Sequence, residues 1–261
     1  MNPWIRPANP LIIAHRGYSL VAPENTLPAY QKAIELGVDM VEADVNLTKD
    51  GVLVMIHDYV LDRTVDATGN VSDYTYEEIR RMDAGIKFHP DFFGTRIPTA
   101  AETIQLAKEA GTLMCFEIKG GEPRSAITIS QKLMQLFDAH DAYEWAFISS
   151  YFPEASAAAK QLAPQVQVAR EWLPDNAPID FPEAMSQAGE AKSPVLMFDF
   201  VILEENVVPF FRSQEIAVWA WNPYKQEDIE GVIQLGVDGI MGDNPELAMK
   251  LVRESKPLGR V

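Results

Sequence analysis

Short apolar runs alternate with amphipathic helical stretches along most of the chain. The repeating unit is a helix with one polar face, a glycine and a short apolar strand, as in T-I-Q-L-A-K-E-A-G-T-L-M-C-F-E-I. Gly37, Gly111 and Gly236 follow three of these helices, where a left-handed backbone is favoured. Strands that are apolar on both faces are typical of a parallel sheet covered by helices. The pattern therefore predicts an α/β fold with a parallel sheet.

Nine apolar runs could form strands, which is close to eight once errors at the boundaries are allowed. A chain of 261 residues fits one TIM (β/α)8 barrel, which we predict as a single domain over 1–261. An open doubly wound sheet is the competing architecture, but no glycine-rich phosphate loop follows the first strand. The runs lie near residues 11–15, 39–45, 52–57, 112–118, 145–149, 166–170, 195–199, 216–221 and 238–242.

The regular pattern breaks after Asp58. A turn-rich stretch is followed by a short helix predicted near 76–83 and by an irregular aromatic segment, F-H-P-D-F-F-G-T-R-I-P-T. We interpret residues 59–111 as a small insertion on one loop of the barrel. Thr99 and Glu102 have the spacing of a capping box, which predicts the start of the helix that returns the chain to the repeat.

Composition excludes several functions. The chain has 22 basic and 38 acidic residues and a net charge of −16, which disfavours nucleic-acid binding. Cys115 is the single cysteine, so no internal disulfide can form. The N-terminal segment has no apolar signal core, and no apolar run approaches the roughly 18 residues that span a bilayer. We expect a cytoplasmic protein without stable membrane insertion, as a monomer or a homodimer.

Three carboxylates occupy strand positions that should meet at the barrel mouth. Glu42 and Asp44 are two residues apart, so their side chains point to the same face, and Glu117 and Lys119 repeat this spacing. Carboxylates converging at one rim repel unless a cation lies among them. Oxygen ligands without cysteine favour Mg²⁺ or Ca²⁺. The alternative is that these acids simply pair with Lys119 and Arg16.

Two of the four histidines end apolar runs beside charged residues, in H-R-G and H-D. Near neutral pH, His15 and His57 can each give or take a proton, so together they could supply a general base and a general acid. The turn signal Asp50-Gly51 leaves open whether the following run folds back as a hairpin or rises as a barrel strand. Either path brings His57 near Asp44.

Further residues could bind a substrate with a phosphate group. Arg16 can donate several hydrogen bonds to a phosphate, and Lys119 supplies a point charge suited to a phosphoryl oxygen. Trp221 and Tyr151 lie at strand ends near the rim, where they could form an apolar wall for a small alcohol or a choline-like group.

The segment Glu24-Asn25-Thr26 precedes the first predicted helix and could cap it. Glu24 and Asn25 are also candidates for support of the site, since Glu24 could brace Arg16 or His57.

At these residues the chain resembles the glycerophosphodiester phosphodiesterase family. The blocks that carry the resemblance occur in order across nearly the whole length: H-R-G, P-E-N-T-L, V-E-A-D-V, L-T-K-D-G, H-D, L-D-R-T, F-E-I-K, W-A-W-N and G-D-N-P. The resemblance implies a TIM barrel with a small insertion after the third strand. It also implies a divalent cation held by Glu42, Asp44 and Glu117, with His15 and His57 as the acid and base in an order left open.

By the same resemblance, Arg16 and Lys119 would contact the phosphate, and the products would be sn-glycerol 3-phosphate and an alcohol. A lysophospholipid phosphodiesterase on the same scaffold is the first alternative. A glycosidase using Glu42 and Glu117 would leave the two histidines without a role. A phosphate-binding protein without turnover is the third alternative, and no missing catalytic residue supports it.

Overall fold

The computed structural model describes residues 2–6, 8–172 and 177–255. In this part of the chain, eight parallel strands close into a barrel, and helices connect them on the outside. The predicted TIM barrel is confirmed. Residues 1 and 256–261, the ends of the expected domain, lie outside the described residues.

The strands and helices alternate along the chain as the sequence pattern predicts. The strands are β1 (Leu11–Ala14), β2 (Met40–Leu47), β3 (Leu53–Met55), β4 (Leu113–Ile118), β5 (Ala146–Ser150), β6 (Gln167–Trp172), β7 (Val195–Asp199), β8 (Ala217–Trp221) and β9 (Gly239–Gly242). The helices are α1 (Leu27–Leu36), α2 (Tyr76–Ile79), α3 (Ala100–Ala110), α4 (Pro123–His140), α5 (Pro153–Leu162), α6 (Phe181–Ala191), α7 (Val207–Ser213), α8 (Gln226–Leu235) and α9 (Pro245–Glu254).

The barrel closes at β1, which pairs in parallel with both β2 and β9. Alternate strand residues, among them Ile13, Phe147 and Trp219, fill the barrel interior. A larger apolar core lies between the strands and the helices. Three helices end at glycines with left-handed backbone, Gly37, Gly111 and Gly236, with φ of 82°, 66° and 75°. The predicted helix ends are therefore confirmed.

The question of the path after Asp50-Gly51 is answered by β3. This strand pairs antiparallel with β2, with Val45 opposite Met55, so the chain folds back as a hairpin. The run near 52–57 is a strand outside the barrel, and the other eight candidate runs are the barrel strands. As a result, β4 is the third strand of the barrel although it is the fourth in the chain.

The segment between β3 and α3 packs around a small apolar cluster of its own, which includes Val54, Leu61 and Ile79. The helix predicted near 76–83 is shorter, because α2 ends at Ile79. Further along, the Asp83 carboxylate accepts hydrogen bonds from the backbone N–H groups of Gly85, Ile86 and Gly94, which favours a turn over a continued helix.

The capping box of Thr99 and Glu102 forms at the start of α3 as predicted. The bounds of the insertion, 59–111, stay a prediction. Among the described residues, no helix is long and apolar enough to cross a bilayer.

Candidate active site

Three carboxylates meet near the carboxyl ends of β2 and β4. Glu42 and Asp44 point to the same side of β2, and Glu117 on β4 lies directly opposite Asp44 in the strand register. Each of the three offers one oxygen, and these oxygens all lie within 4.8 Å of one another. The structure thus brings together the acidic triad, Glu42, Asp44 and Glu117, that the sequence spacing predicts.

Two members of the acidic triad are deeply buried, with Glu42 1% and Asp44 0% exposed, and Glu117 is partly buried. Burial raises the pKa of Glu42, and the charges of Asp44 and Glu117 raise it further. Burial and the neighbouring Glu171 raise the pKa of Glu117 to about 8. Burial alone would raise the pKa of Asp44 as well, but the charges of Lys119 and Arg16 hold the pKa of Asp44 below its usual value. The triad is therefore a place where added positive charge is strongly favoured.

Two cationic residues partly neutralise the triad. The Lys119 ammonium contacts the Glu117 carboxylate and lies 3.1 Å from Asp44 Oδ1. Arg16 Nε lies 3.2 Å from Asp44 Oδ2, and the Arg16 backbone N–H donates to Glu42 Oε2 over 2.9 Å. Arg16 adopts a left-handed backbone with φ of 56° in the turn after β1, where this N–H meets Glu42. Both cations line the site as the sequence predicts.

The free atoms of the triad fit a divalent cation. Glu42 Oε1 is buried and has no hydrogen-bond partner among the described residues, and Asp44 Oδ1 is buried with the Lys119 ammonium at 3.1 Å as its one charged neighbour there. Buried polar atoms are rarely left unpaired, so Glu42 Oε1 indicates a group that the described residues do not supply. All donors of the triad are carboxylate oxygens, which are the ligands that hard divalent cations prefer.

Asn25 fixes the position of Asp44. Its side-chain amide donates to Asp44 Oδ2 over 2.6 Å, and its carbonyl oxygen accepts the Asp44 backbone N–H and the Tyr30 hydroxyl. The segment was expected to cap α1, and Thr26 does occupy the N-cap position. Its hydroxyl, however, donates to the Pro23 carbonyl and makes no cap hydrogen bond. The Asn25 side chain does not cap the helix either, because it hydrogen-bonds to Asp44.

Glu24 connects the phosphate-binding candidate Arg16 to the histidine on the other side of the site. It accepts from Arg16 Nη1 over 3.0 Å and from Arg63 Nη1 over 2.7 Å. Arg63 also donates from Nε to Asp58 Oδ2 over 2.6 Å, and Asp58 Oδ1 lies 2.6 Å from His57 Nδ1. Glu24 therefore braces Arg16 directly and His57 through Arg63, a residue that the sequence reasoning missed.

Each of the two histidines pairs with a carboxylate. His15 Nδ1 lies 2.6 Å from Asp243 Oδ1, in the same geometry as the pair of His57 and Asp58. Burial opposes ionisation of Asp243, but the hydrogen bond from His15 lowers the pKa of Asp243 to about 2. A carboxylate at Nδ1 fixes the ring tautomer and leaves Nε2 for proton transfer. The sequence reasoning missed Asp243, although it follows a buried strand as His15 does.

A cavity of about 400 Å³ opens at the mouth of the barrel. Its polar side carries both histidines together with Arg16, Glu117 and Lys119, so the predicted catalytic and phosphate-binding residues share one space. The other side carries the predicted residues Tyr151 and Trp221. The remaining lining residues are Tyr59, Ile118, Phe152, Glu171, Met197, Asn222 and Met241.

Glu171 is a buried acid in this cavity that the sequence reasoning missed. It lies on β6 two residues after Ala169, which faces the barrel interior, and it is 7% exposed. Burial raises the pKa of Glu171, while the Lys119 charge acts in the opposite direction. A signal was available, because an acid within an apolar strand run is the same feature that singled out Glu42.

A TIM barrel whose mouth holds an acidic triad, a lysine and two braced histidines has the groups that phosphoryl-transfer hydrolases use. Comparison with known proteins identifies the family within this class. The profile of the "Glycerophosphoryl diester phosphodiesterase family" matches residues 15–247. The chain therefore belongs to the glycerophosphoryl diester phosphodiesterase family, and it is a phosphoric diester hydrolase.

Relatives with similar sequences carry the same description. The chain is 39% identical to a glycerophosphodiester phosphodiesterase of Caldanaerobacter subterraneus subsp. tengcongensis, over 94% of this chain and 98% of that protein. It is 30% identical to a glycerophosphodiester phosphodiesterase of Bacillus altitudinis, over 94% of this chain and 99% of the relative.

Solved structures agree on the fold. A phosphodiesterase of Oleispira antarctica, determined in complex with the product sn-glycerol-3-phosphate, superposes with a TM-score of 0.86 at 24% identity, over 95% of this chain and 98% of that chain. A glycerophosphodiester phosphodiesterase of Thermotoga maritima superposes with a TM-score of 0.72 at 25% identity, over 92% of this chain and 98% of that chain.

Proposed function

We propose that this enzyme hydrolyses glycerophosphodiesters to sn-glycerol 3-phosphate and an alcohol, with a divalent cation and two histidines acting as acid and base. One observation carries the proposal. Glu117 of the acidic triad, Lys119 and the two carboxylate-braced histidines, His15 and His57, line a single cavity of about 400 Å³, which is large enough for a small substrate.

The cation would be held by Glu42, Asp44 and Glu117, and we propose Mg²⁺ or Ca²⁺ because the donors are all oxygens. When bound, such an ion neutralises charge on the phosphoryl oxygens. Lys119 and Arg16 bind the remaining phosphate oxygens and orient the diester. Their present partners, Asp44 and Glu117, are the groups that the ion would engage.

The histidines act at Nε2, because each Nδ1 is occupied by a carboxylate. One ring removes the proton of the attacking hydroxyl, and the other protonates the departing alkoxide. Either order satisfies the geometry. Asp243 and Asp58 orient the rings and stabilise the charged form of each.

Replacing the histidines one at a time tests this scheme. In His15→Ala and in His57→Ala, the release of glycerol 3-phosphate from glycerophosphocholine should fall by about 10²- to 10⁴-fold. Mg²⁺ binding measured by calorimetry should be retained, since neither ring belongs to the acidic triad. His140→Ala, at the end of α4, is the matched control and should keep its activity. A near-normal rate in His57→Ala would reject the scheme.

Removal of divalent cations is the second test. Dialysis against a chelator should abolish turnover, and Mg²⁺ or Ca²⁺ should restore it, which also identifies the preferred ion. Full activity in the chelator would contradict the proposal.

A cytoplasmic location and a monomeric or homodimeric state are parts of the same proposal. Cell fractionation checks the location, and light scattering checks the oligomeric state.

A lysophospholipid phosphodiesterase remains a second candidate because apolar side chains are exposed in the loops that follow the strands. Leu20 is 55%, Tyr59 47%, Tyr151 52% and Val201 63% exposed, and Tyr59 and Tyr151 also line the cavity. These side chains could contact an acyl chain. Comparing kcat/KM for glycerophosphocholine and lysophosphatidylcholine decides between the two substrates.

A further inference from the structure

The cavity wall contributed by β5, β6, β7 and β8 is mainly apolar and aromatic and contains one acid, which lies near Lys119 and Glu117. Tyr151 and Phe152 follow β5, Met197 lies on β7, and Trp221 ends β8. Glu171 on β6 lies within this wall, directly opposite Met197 in the strand register. A phosphate held by Lys119 and Arg16 would place one of its two ester substituents along this side.

One carboxylate oxygen of Glu171 has no hydrogen bond within the described part of the chain. The residue is 93% buried, being 7% exposed, and its Oε1 has no hydrogen-bond partner among the described residues. Burial removes the hydration of this oxygen, and the nearby Lys119, Ser149 and Arg170 offset only part of that cost, since burial still raises the pKa of Glu171. An acid in this state indicates a ligand group that arrives with the substrate.

The surroundings of Glu171 favour a cation over a polyol. Trp221, Tyr151 and Phe152 present aromatic rings, which attract organic cations through their electron-rich faces, and tryptophan does so most strongly. Met197 adds an apolar, polarisable contact rather than a hydrogen bond. The net charge of −16 also disfavours a diester that carries only the negative phosphate more than a zwitterionic diester that carries an ammonium group as well.

We propose that Glu171 and Trp221, with Tyr151, form a subsite for a quaternary ammonium group on the leaving alcohol, so that the enzyme prefers choline esters. The subsite is called the ammonium subsite below. This inference rests on the proposed hydrolysis of glycerophosphodiesters and adds the substrate class. The carboxylate supplies the counter-charge and the rings enclose the methyl groups.

The test compares two substrates that differ only in charge. Glycerophosphocholine is matched with its neutral carbon isostere, the glycerophosphodiester of 3,3-dimethylbutanol. The wild-type enzyme should favour the choline ester in kcat/KM by about tenfold or more. In Glu171→Gln, which keeps the shape of the side chain, the ratio should fall to about one. Trp221→Leu should lower the ratio as well, and Glu144→Gln, an exposed acid just before β5, should leave it unchanged.

Two results with Glu171→Gln, one kinetic and one calorimetric, would overturn the ammonium subsite. If Glu171→Gln loses equal activity on both substrates, the carboxylate serves the shared glycerol or phosphate, for example a hydroxyl that also accepts from the unpaired Trp221 Nε1. If Glu171→Gln weakens Mg²⁺ binding in calorimetry, the residue is a metal ligand instead.

Binding separates this inference from the proposed function. Choline and 3,3-dimethylbutanol are titrated into the enzyme while tryptophan fluorescence is recorded, which requires no turnover. The inference predicts that choline binds more tightly than the alcohol and that Glu171→Gln removes the difference. Equal binding of the two to the wild-type enzyme would overturn it. If neither diester is hydrolysed, the proposed function fails, and these titrations alone decide whether the ammonium subsite exists.

Discussion

Lys119 provides a quantitative test of the charge balance in the acidic triad. Its ammonium lies 3.1 Å from Asp44 Oδ1 and also contacts Glu117, and its side chain is only 12% exposed. At an effective dielectric constant of about 20, two charges at this distance attract by roughly 5 kcal/mol. Lys119→Met removes the positive charge and keeps much of the side-chain volume.

Protonation of Asp44 limits the cost of this change. At pH 7, protonating an aspartate with an ordinary pKa of 3.8 costs about 4 kcal/mol, so a carboxyl that has lost its counter-charge takes up a proton rather than carry a much larger penalty. Removing one partner of a buried ion pair typically costs about 3–5 kcal/mol. We expect Lys119→Met to lose about 3–4 kcal/mol of unfolding free energy in the absence of divalent cations.

The assay is urea denaturation at pH 7, performed in a chelator and again in saturating Mg²⁺. The bound ion replaces the missing positive charge, so Mg²⁺ should stabilise Lys119→Met more than the wild-type protein and recover much of the loss. Lys250→Met, at an exposed position of α9, should stay within about 0.5 kcal/mol of wild type. A loss below about 1 kcal/mol in the chelator, or equal stabilisation of both proteins by Mg²⁺, would refute the reasoning.

Two further predictions concern the carboxylates that brace the histidines. Asp243→Asn should reduce kcat by about 10²- to 10⁴-fold with little change in KM, because an amide no longer fixes the tautomer of His15; steady-state kinetics showing less than a tenfold loss would count against this role. The pKa values of Asp243 and Asp58 fall from 3.8 to about 2, so both stabilise the fold fully above about pH 4 and lose this effect as pH falls towards 2. Urea denaturation between pH 2 and 6 should show a smaller pH dependence in Asp243→Asn than in wild type, and an unchanged slope would contradict the assignment.

The fold could be predicted because its signals are local. Each glycine that ends a helix marks a left-handed residue, and each buried parallel strand appears as a continuous apolar run. The hairpin of β2 and β3 could not be decided, since Asp50-Gly51 predicts a turn but not which neighbour the next strand pairs with. That choice depends on the ladder between Val45 and Met55, which is a tertiary feature.

The acidic triad could be predicted because alternation along β2 places Glu42 and Asp44 on one face. The residues that brace the site were harder to find. Asp243 and Arg63 act over separations of 228 and 39 residues from their partners, and spacing within one strand says nothing about such contacts. Glu171 was missed because the strand was predicted near 166–170, which ends one residue before it, whereas β6 continues to Trp172.

The central claim is that Glu42, Asp44 and Glu117 hold one divalent cation at the cavity that both histidines line. Anomalous diffraction from crystals grown with Mn²⁺, a substitute that scatters strongly, tests it most directly. The account predicts one strong peak at roughly 2.0–2.6 Å from an oxygen of each of the three carboxylates. A peak elsewhere, or none at the triad in crystals of active enzyme, would contradict it.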